Sequence, residues 1–212
     1  MINAIVFDFG NVFINLDKEG AIKRTTEILG FDIITESQNP LYAHIFETND
    51  QYEKGLISTD QFLSFYENLV EDVSKNDVKN LWNSLLKDFP QKRLNFIKNL
   101  SAENRFKLIL LSNTNELHIN WVEDNVFFYN EFKSCFDAFY LSHEINLRKP
   151  DADIFRYVLE AHSLKPENTL FIDDTIENTI TASQLGIHVW NNNPAIEDVV
   201  DLFEIKKELF VD

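Results

Sequence analysis

The sequence predicts an α/β protein built on a doubly wound, mainly parallel sheet, with an all-helical domain inserted near its start. Three observations carry this. Short apolar runs stop at polar residues, helical patterns alternate with those runs through the second half of the chain, and from about Asn15 to Leu100 the pattern is helical without obvious strands.

The first run, Ala4 to Phe9 (AIVFDF), has the character of a central parallel strand, apolar on both faces and carrying Asp8 near its tip. Lys107 to Leu111 (KLILL) repeats the design and closes on Ser112 and Asn113. Ala138 to Leu141 (AFYL) precedes a polar loop, Thr169 to Ile172 (TLFI) closes on Asp173 and Asp174, and His188 to Trp190 follows Gly186. Helices are expected over Asn115 to about Asn130, Ala152 to His162, and Ile176 to Leu185, the last stopped by Gly186. Ligands of such sheets bind at the carboxyl ends of the strands, where these polar residues fall.

In the insertion, Lys18 to Leu29 ends at Gly30, and Ser58-Thr59-Asp60-Gln61 is a capping box opening a helix to about Val70. Ser74 caps another that reaches about Leu86, and Pro90 breaks the chain before Gln91 to Leu100. Phe62, Phe65, Leu69, Leu81, Trp82 and Leu85 recur at helical spacing, as the core of a small bundle does. The expected division is a core of residues 1–14 and 101–212, with residues 15–100 as the inserted domain.

At 212 residues the chain holds one full core with a smaller inserted domain. A formal net charge of −16 argues against nucleic acid or an anionic membrane as partner, because phosphate groups would be repelled over most of the surface. A small anionic substrate drawn into a local cationic site is compatible with it. The lone Cys135 makes no internal disulfide, and no signal peptide or membrane-spanning run is read, so a cytoplasmic setting is the expectation.

Taken singly, the strand-tip residues have ordinary readings. An acid at a strand end is usually a solvated turn residue, Ser-Asn is a good turn pair, and Lys-Pro-Asp is a common helix start. Their order gives them a joint meaning. The segments VFDFGNV, LLSNT, RKPDADIF and FIDDTIEN, which hold Asp8, Ser112 and Asn113, Lys149, and Asp173 and Asp174, resemble the four motifs of the haloacid dehalogenase-like superfamily. The long separation of Asp8 from Ser112 leaves room for the helical cap of such proteins, and YEKGLISTDQF is similar to a stretch of those caps.

The resemblance implies a Rossmann-like core and a phosphatase acting on a small phosphorylated metabolite. Phosphoryl transfer needs an oxygen nucleophile and neutralised phosphate charge. Asp8 would attack phosphorus and form an aspartyl-phosphate. Asp8, Asp173 and Asp174, with the backbone carbonyl of Gly10, would hold Mg²⁺, a hard ion that takes oxygen ligands, Asp174 being the more direct of the late pair. Lys149 would offset charge between Asp8 and the phosphate, while the Ser112 hydroxyl and the Asn113 N–H would hold phosphate oxygens. The five histidines carry no metal-ligand spacing and are assigned no role. Tyr52, Glu53 and Lys54 could overhang the site from the cap.

One position departs from the pattern. Most phosphatases of the superfamily carry a second aspartate two residues after the nucleophile, as general acid and base, and here Gly10 stands there. Asn11 could orient a water but cannot exchange a proton. The DFGNV variant resembles a subgroup that includes glucose 1-phosphate phosphatases, whose leaving group needs little protonation. A haloacid dehalogenase also lacks the second aspartate, though such enzymes work without metal and lack the paired late acids. A binding or regulatory protein that has lost turnover is the other alternative.

Overall fold

The computed structural model describes residues 1–30 and 38–210. Among these, five parallel strands form one sheet in the order β3-β2-β1-β4-β5: β1 Ala4–Phe7, β2 Lys107–Ser112, β3 Ala138–Leu141, β4 Thr169–Asp173 and β5 His188–Asn191. The order reverses across β1, so its tip is a topological switch point.

Alternation along the strands makes the sheet doubly wound. Ile5, Phe7, Leu108, Leu110, Leu170 and Ile172 enter the larger core, whereas Val6, Ile109, Leu111 and Phe171 enter the smaller one on the opposite face. The larger core holds an aromatic cluster in which Phe13 lies 4.9 Å edge-on from Phe132 and 5.4 Å from Phe7. Edge-to-face rings of this kind add to the area they bury.

Among the described residues, five helices come ahead of the second strand: α1 Lys18–Leu29, α2 Pro40–Glu53, α3 Thr59–Leu69, α4 Lys75–Asn83 and α5 Gln91–Glu103. The Ser58 and Ser74 capping boxes are both formed, and Gly30 ends α1 in the left-handed conformation. Ile45, Tyr52, Phe62, Tyr66 and Val78 build a separate bundle core, joined by Phe65, Leu69 and Trp82. The last helix does not join it. Leu94, Ile97 and Leu100 of α5 are buried in the larger sheet core, and Arg93 bonds Asp198 through Nε while its Nη1 donates to the Phe13 carbonyl. We propose accordingly that the insertion closes near Pro90 rather than at residue 100.

The second half adds α6 Glu116–Asn125, α7 Tyr129–Lys133, α8 Ser142–Ile145, α9 Ala152–Ala161, α10 Ile176–Gln184 and α11 Leu202–Ile205. The single helix expected over Asn115 to Asn130 is two. The chain leaves helical geometry at Val126 so that Val126 and Phe128 can enter the aromatic core while Phe127 is exposed. The first strand also stops at Phe7, not Phe9. Phe9 instead accepts hydrogen bonds from the backbone of Phe13 and Ile14, which folds the chain back beside Asp8.

The insertion is seated on the core at Gly55. Its φ is +64°, and an added Cβ would stand 2.1 Å from the His143 carbonyl oxygen, a backbone atom. Asn146 Nδ2 donates to the Lys54 carbonyl beside it, and Glu53 pairs with Arg148. Gly55→Ala should therefore destabilise the protein by about 2 kcal/mol or more, since left-handed backbone and a backbone clash add. Equilibrium denaturation checks this; a change below about 0.5 kcal/mol would show that the cap is not seated there.

Candidate active site

The register of the central strands builds the site. Phe7 pairs with Leu110 on one side and Ile172 on the other, and the Asp8 N–H donates to the Ile172 carbonyl at 2.8 Å. Asp8, Ser112 and Asp173 consequently emerge at neighbouring tips. One carboxylate oxygen from each of Asp8, Asp173 and Asp174 lies within 4.8 Å of the others.

Three carboxylates so placed repel one another unless cations intervene. Lys149 intervenes. Its ammonium, 1% exposed, donates to Asp8 Oδ1 at 2.7 Å, to Asp173 Oδ2 at 2.7 Å and to the Leu111 carbonyl at 2.8 Å, which uses all three of its protons. Burial works against that charge, but the Asp173 and Asp8 carboxylates outweigh it and hold its pKa above the usual lysine value. The reciprocal effect on Asp8 is incomplete. Burial pushes its carboxyl up to about 7, with Lys149 pulling it down and Asp173 and Asp174 adding to the rise.

Asp173 and Asp174 differ in what they have left to give. Asp173 is fully buried, with Oδ1 accepting from the Thr175 N–H and Oδ2 from both Lys149 and Asn178 Nδ2. Asp174 faces the cavity, where Oδ2 accepts from Asn11 Nδ2 at 2.9 Å and from Lys18 Nζ at 2.6 Å. Asp8 Oδ2 accepts no hydrogen bond among the described residues.

Asn113 turns its side chain to the loop before α9: Nδ2 donates to the Lys149 carbonyl and Oδ1 accepts the Lys149 N–H. It fixes the backbone from which the lysine reaches inward. The buried Ser112 hydroxyl has only a long contact with the Asn113 carbonyl, at 3.4 Å, and is free to turn toward a ligand. At Gly10, an added Cβ would lie 3.9 Å from Asp8 Oδ2 but only 2.8 Å from Leu16 Cδ1. Leu16 thus lies against position 10 beside the cluster.

A cavity of about 420 Å³ opens over Asp8, lined by Gly10, Ser112, Asn113, Lys149 and Asp174 below. Leu16, Leu85, Leu86 and Glu53 come to it from the insertion and its approach, so Leu85 lines the cavity and is not among the bundle core. Sequence reasoning missed Lys18, Leu16, the pairing of Glu53 with Arg148, and His118. None of them stands beside a motif acid in sequence in a way that would signal it. His118 is buried, stacks 5.6 Å from Trp82, and places Nε2 3.1 Å from the Trp82 carbonyl and Nδ1 3.2 Å from Asn115 Nδ2. Both ring nitrogens are engaged, so it ties the cap to α6 rather than serving the reaction.

The model of the haloacid dehalogenase-like hydrolase family matches residues 2–186. D-ribitol-5-phosphate phosphatase of Bacteroides thetaiotaomicron is 26% identical over 193 residues, covering 90% of this chain and 91% of that protein. A haloacid dehalogenase family enzyme of the same organism, solved with magnesium and inorganic phosphate, superposes with a TM-score of 0.78 at 36% identity, over 96% of this chain and all of that one. A predicted HAD-like hydrolase from Porphyromonas gingivalis gives 0.81 at 29% identity over the whole of both chains.

Burial pushes the His118 imidazole down to about 4, so the folded protein takes up its proton later than the unfolded chain does. A lowered histidine pKa leaves stability intact above about pH 6.5 and withdraws it as pH falls toward 4, by about 2–3 kcal/mol at pH 4.5. Urea denaturation at pH 7 and 4.5 should show a loss in the wild type that His118→Gln reduces by this amount. Equal losses in the two proteins would place the acid sensitivity elsewhere.

Proposed function

Since the chain belongs to the haloacid dehalogenase-like hydrolase family and is a phosphoric monoester hydrolase within it, we propose that it hydrolyses a small sugar or polyol phosphate with magnesium, by way of phosphorylated Asp8. The observation that carries this reading is the division of labour at Asp8. Lys149 holds Oδ1, while Oδ2, at the floor of the cavity, accepts no hydrogen bond among the described residues. A carboxylate oriented by one oxygen and open at the other is placed to attack a phosphorus atom in line.

The donor set fits the metal. Oxygen ligands alone converge here, and the Asp8 carboxyl lacks sufficient positive charge to offset its burial. Asp8, Asp174 and the Gly10 carbonyl would hold the ion, and Asp173, whose oxygens are engaged by Thr175, Asn178 and Lys149, would keep the lysine in place. Magnesium would supply charge neutralisation on the phosphate oxygens. Ser112, the Asn113 N–H and Lys149 would position the phosphoryl group, and Asn11, bonded to Asp174, would hold that acid toward it. Lys18 must then leave Asp174, which its half-exposed side chain can do.

The substrate class rests on size and polarity. The cavity suits a phosphate with a carbon chain of a few hydroxylated atoms, and Glu53, Arg148 and Lys18 bring hydrogen-bonding groups to it. The D-ribitol-5-phosphate phosphatase relative supports a polyol or sugar carrying the phosphate.

Purified protein should release phosphate from a panel of sugar and polyol phosphates, ribitol 5-phosphate and glucose 1-phosphate included, and EDTA should end this. Asp8→Asn should retain less than a few per cent of turnover. Magnesium at about 100 times its Kd should stabilise the wild type by about 2.7 kcal/mol, read as a rise in Tm, and Asp174→Asn should lose that rise. Turnover in Asp8→Asn would remove the covalent route, and a Tm indifferent to the ion would remove the metal.

A further inference from the structure

The proton chemistry around Asp8 is the least ordinary part of the cavity. Leu16 occupies the space beside position 10, with its Cδ1 2.8 Å from the place of a Cβ there. Its backbone is pinned on several sides. The Leu16 N–H donates to Asn11 Oδ1 at 3.0 Å, Asn15 exchanges backbone bonds with Lys87 and Asp88, and the Asp17 N–H donates to the Leu85 carbonyl. Leu16, Leu85 and Leu86 form an apolar wall against the nucleophile.

Few other groups at the cavity can exchange a proton. His118 is bonded at both nitrogens, Glu53 is paired with Arg148, Lys18 with Asp174, and Asn11 is an amide spent on Asp174 and Leu16. Glu177 lies at the rim, exposed, on the first turn of α10.

From this we infer that breakdown of phospho-Asp8 proceeds without a general base, Gly10 offering none and Leu16 occupying the space beside it, so that the phosphoenzyme accumulates during turnover of substrates with readily departing leaving groups. The inference rests on the reading of Asp8 as nucleophile. In the first half-reaction an Asp8 oxygen bonds to phosphorus as the ester P–O bond breaks, and the leaving oxygen departs as an anion that solvent protonates. A good leaving group does this unaided. In the second, a water oxygen bonds to phosphorus, the bond to Asp8 breaks to regenerate the carboxylate, and the water's proton passes to solvent. Water is the same poor nucleophile whatever the substrate was, and loss of base assistance typically costs 10²- to 10⁴-fold. The second half-reaction therefore limits all good substrates alike.

Rapid-quench kinetics with 4-nitrophenyl phosphate and saturating Mg²⁺ test this on the intact protein. The wild type should release nitrophenol in a burst approaching one equivalent, then turn over slowly, and quenched samples should carry one added phosphoryl group by intact mass. Leu16→Ala with Gly10→Asp restores both the space and a carboxylate; it should abolish the burst and raise the steady rate by about 10²-fold. Leu16→Ala alone should keep the burst. Should the double variant not fold, the wild-type burst decides by itself. Wild-type turnover without burst or phosphoenzyme, with Asp8→Asn inactive, overturns the inference and leaves Asp8 as nucleophile. Turnover surviving in Asp8→Asn overturns that underlying reading instead. A wild type without a burst, and a burst gained in Glu177→Gln, would assign the base to Glu177 and also overturn the inference.

Discussion

The structure depends on keeping a carboxylate charged where burial removes most of its hydration. Asp8 sits at the end of the central strand with its neighbours Asp173 and Asp174 on the adjoining tips, and an isolated buried charge of this kind would take up a proton or unfold the site. The three-way grip of Lys149 is what permits the cluster. It requires that the lysine arrive from a loop held by Asn113, that its ammonium lie over the Phe171 ring, and that the Leu111 carbonyl accept its third proton. Each of these follows from parallel strands in register, since a one-residue slip would turn Asp8 toward a core.

Compensation at the floor of the cavity then constrains its roof. The helical insertion covers the cluster through polar contacts at its edges and leucines that line the cavity. Glu53 with Arg148, Lys54 with Asp151, and Thr59 with Glu116 tie the insertion to the loop before α9 and to the first turn of α6, Arg148 standing next to the lysine that holds Asp8. Ion pairs at such exposed edges contribute little stability each. A further contact between the insertion and α6 is the stacking of half-buried Trp82 on buried His118.

The core was legible in the sequence because a parallel strand buried on both faces writes a short apolar run, and a strand tip that binds a ligand ends the run on a polar residue. Asp8, Ser112, Lys149, Asp173 and Asp174 could be named on that basis together with the motif resemblance, and the structure brings them together. Helix α2, Pro40–Glu53, escaped notice because only Ile45 and Tyr52 on it are buried, too few to mark a period. The break at Val126 escaped because the aromatic core, not local propensity, decides it. Leu16 and Lys18 were invisible for a different reason. Their meaning comes from what they stand beside, Gly10 and Asp174, and the turn at Asn11 that brings them there has no sequence period. Sequence assigned Asp173 and Asp174 together to the metal, with Asp174 the more direct, and the hydrogen bonds add that Asp173 faces the lysine while Asp174 faces the cavity.

The central claim is that Asp8 is held as a carboxylate by cations and not by solvent. Its most direct measurement is the titration of the Asp8 carboxyl carbon by NMR, assigned by difference from Asp8→Asn, with and without Mg²⁺. Without the ion the account predicts a midpoint raised to about 7 by burial, and with saturating ion a midpoint in or below the ordinary aspartate range near 4. A midpoint near 4 in both conditions would mean that solvent or Lys149 alone compensates Asp8, and would contradict the account.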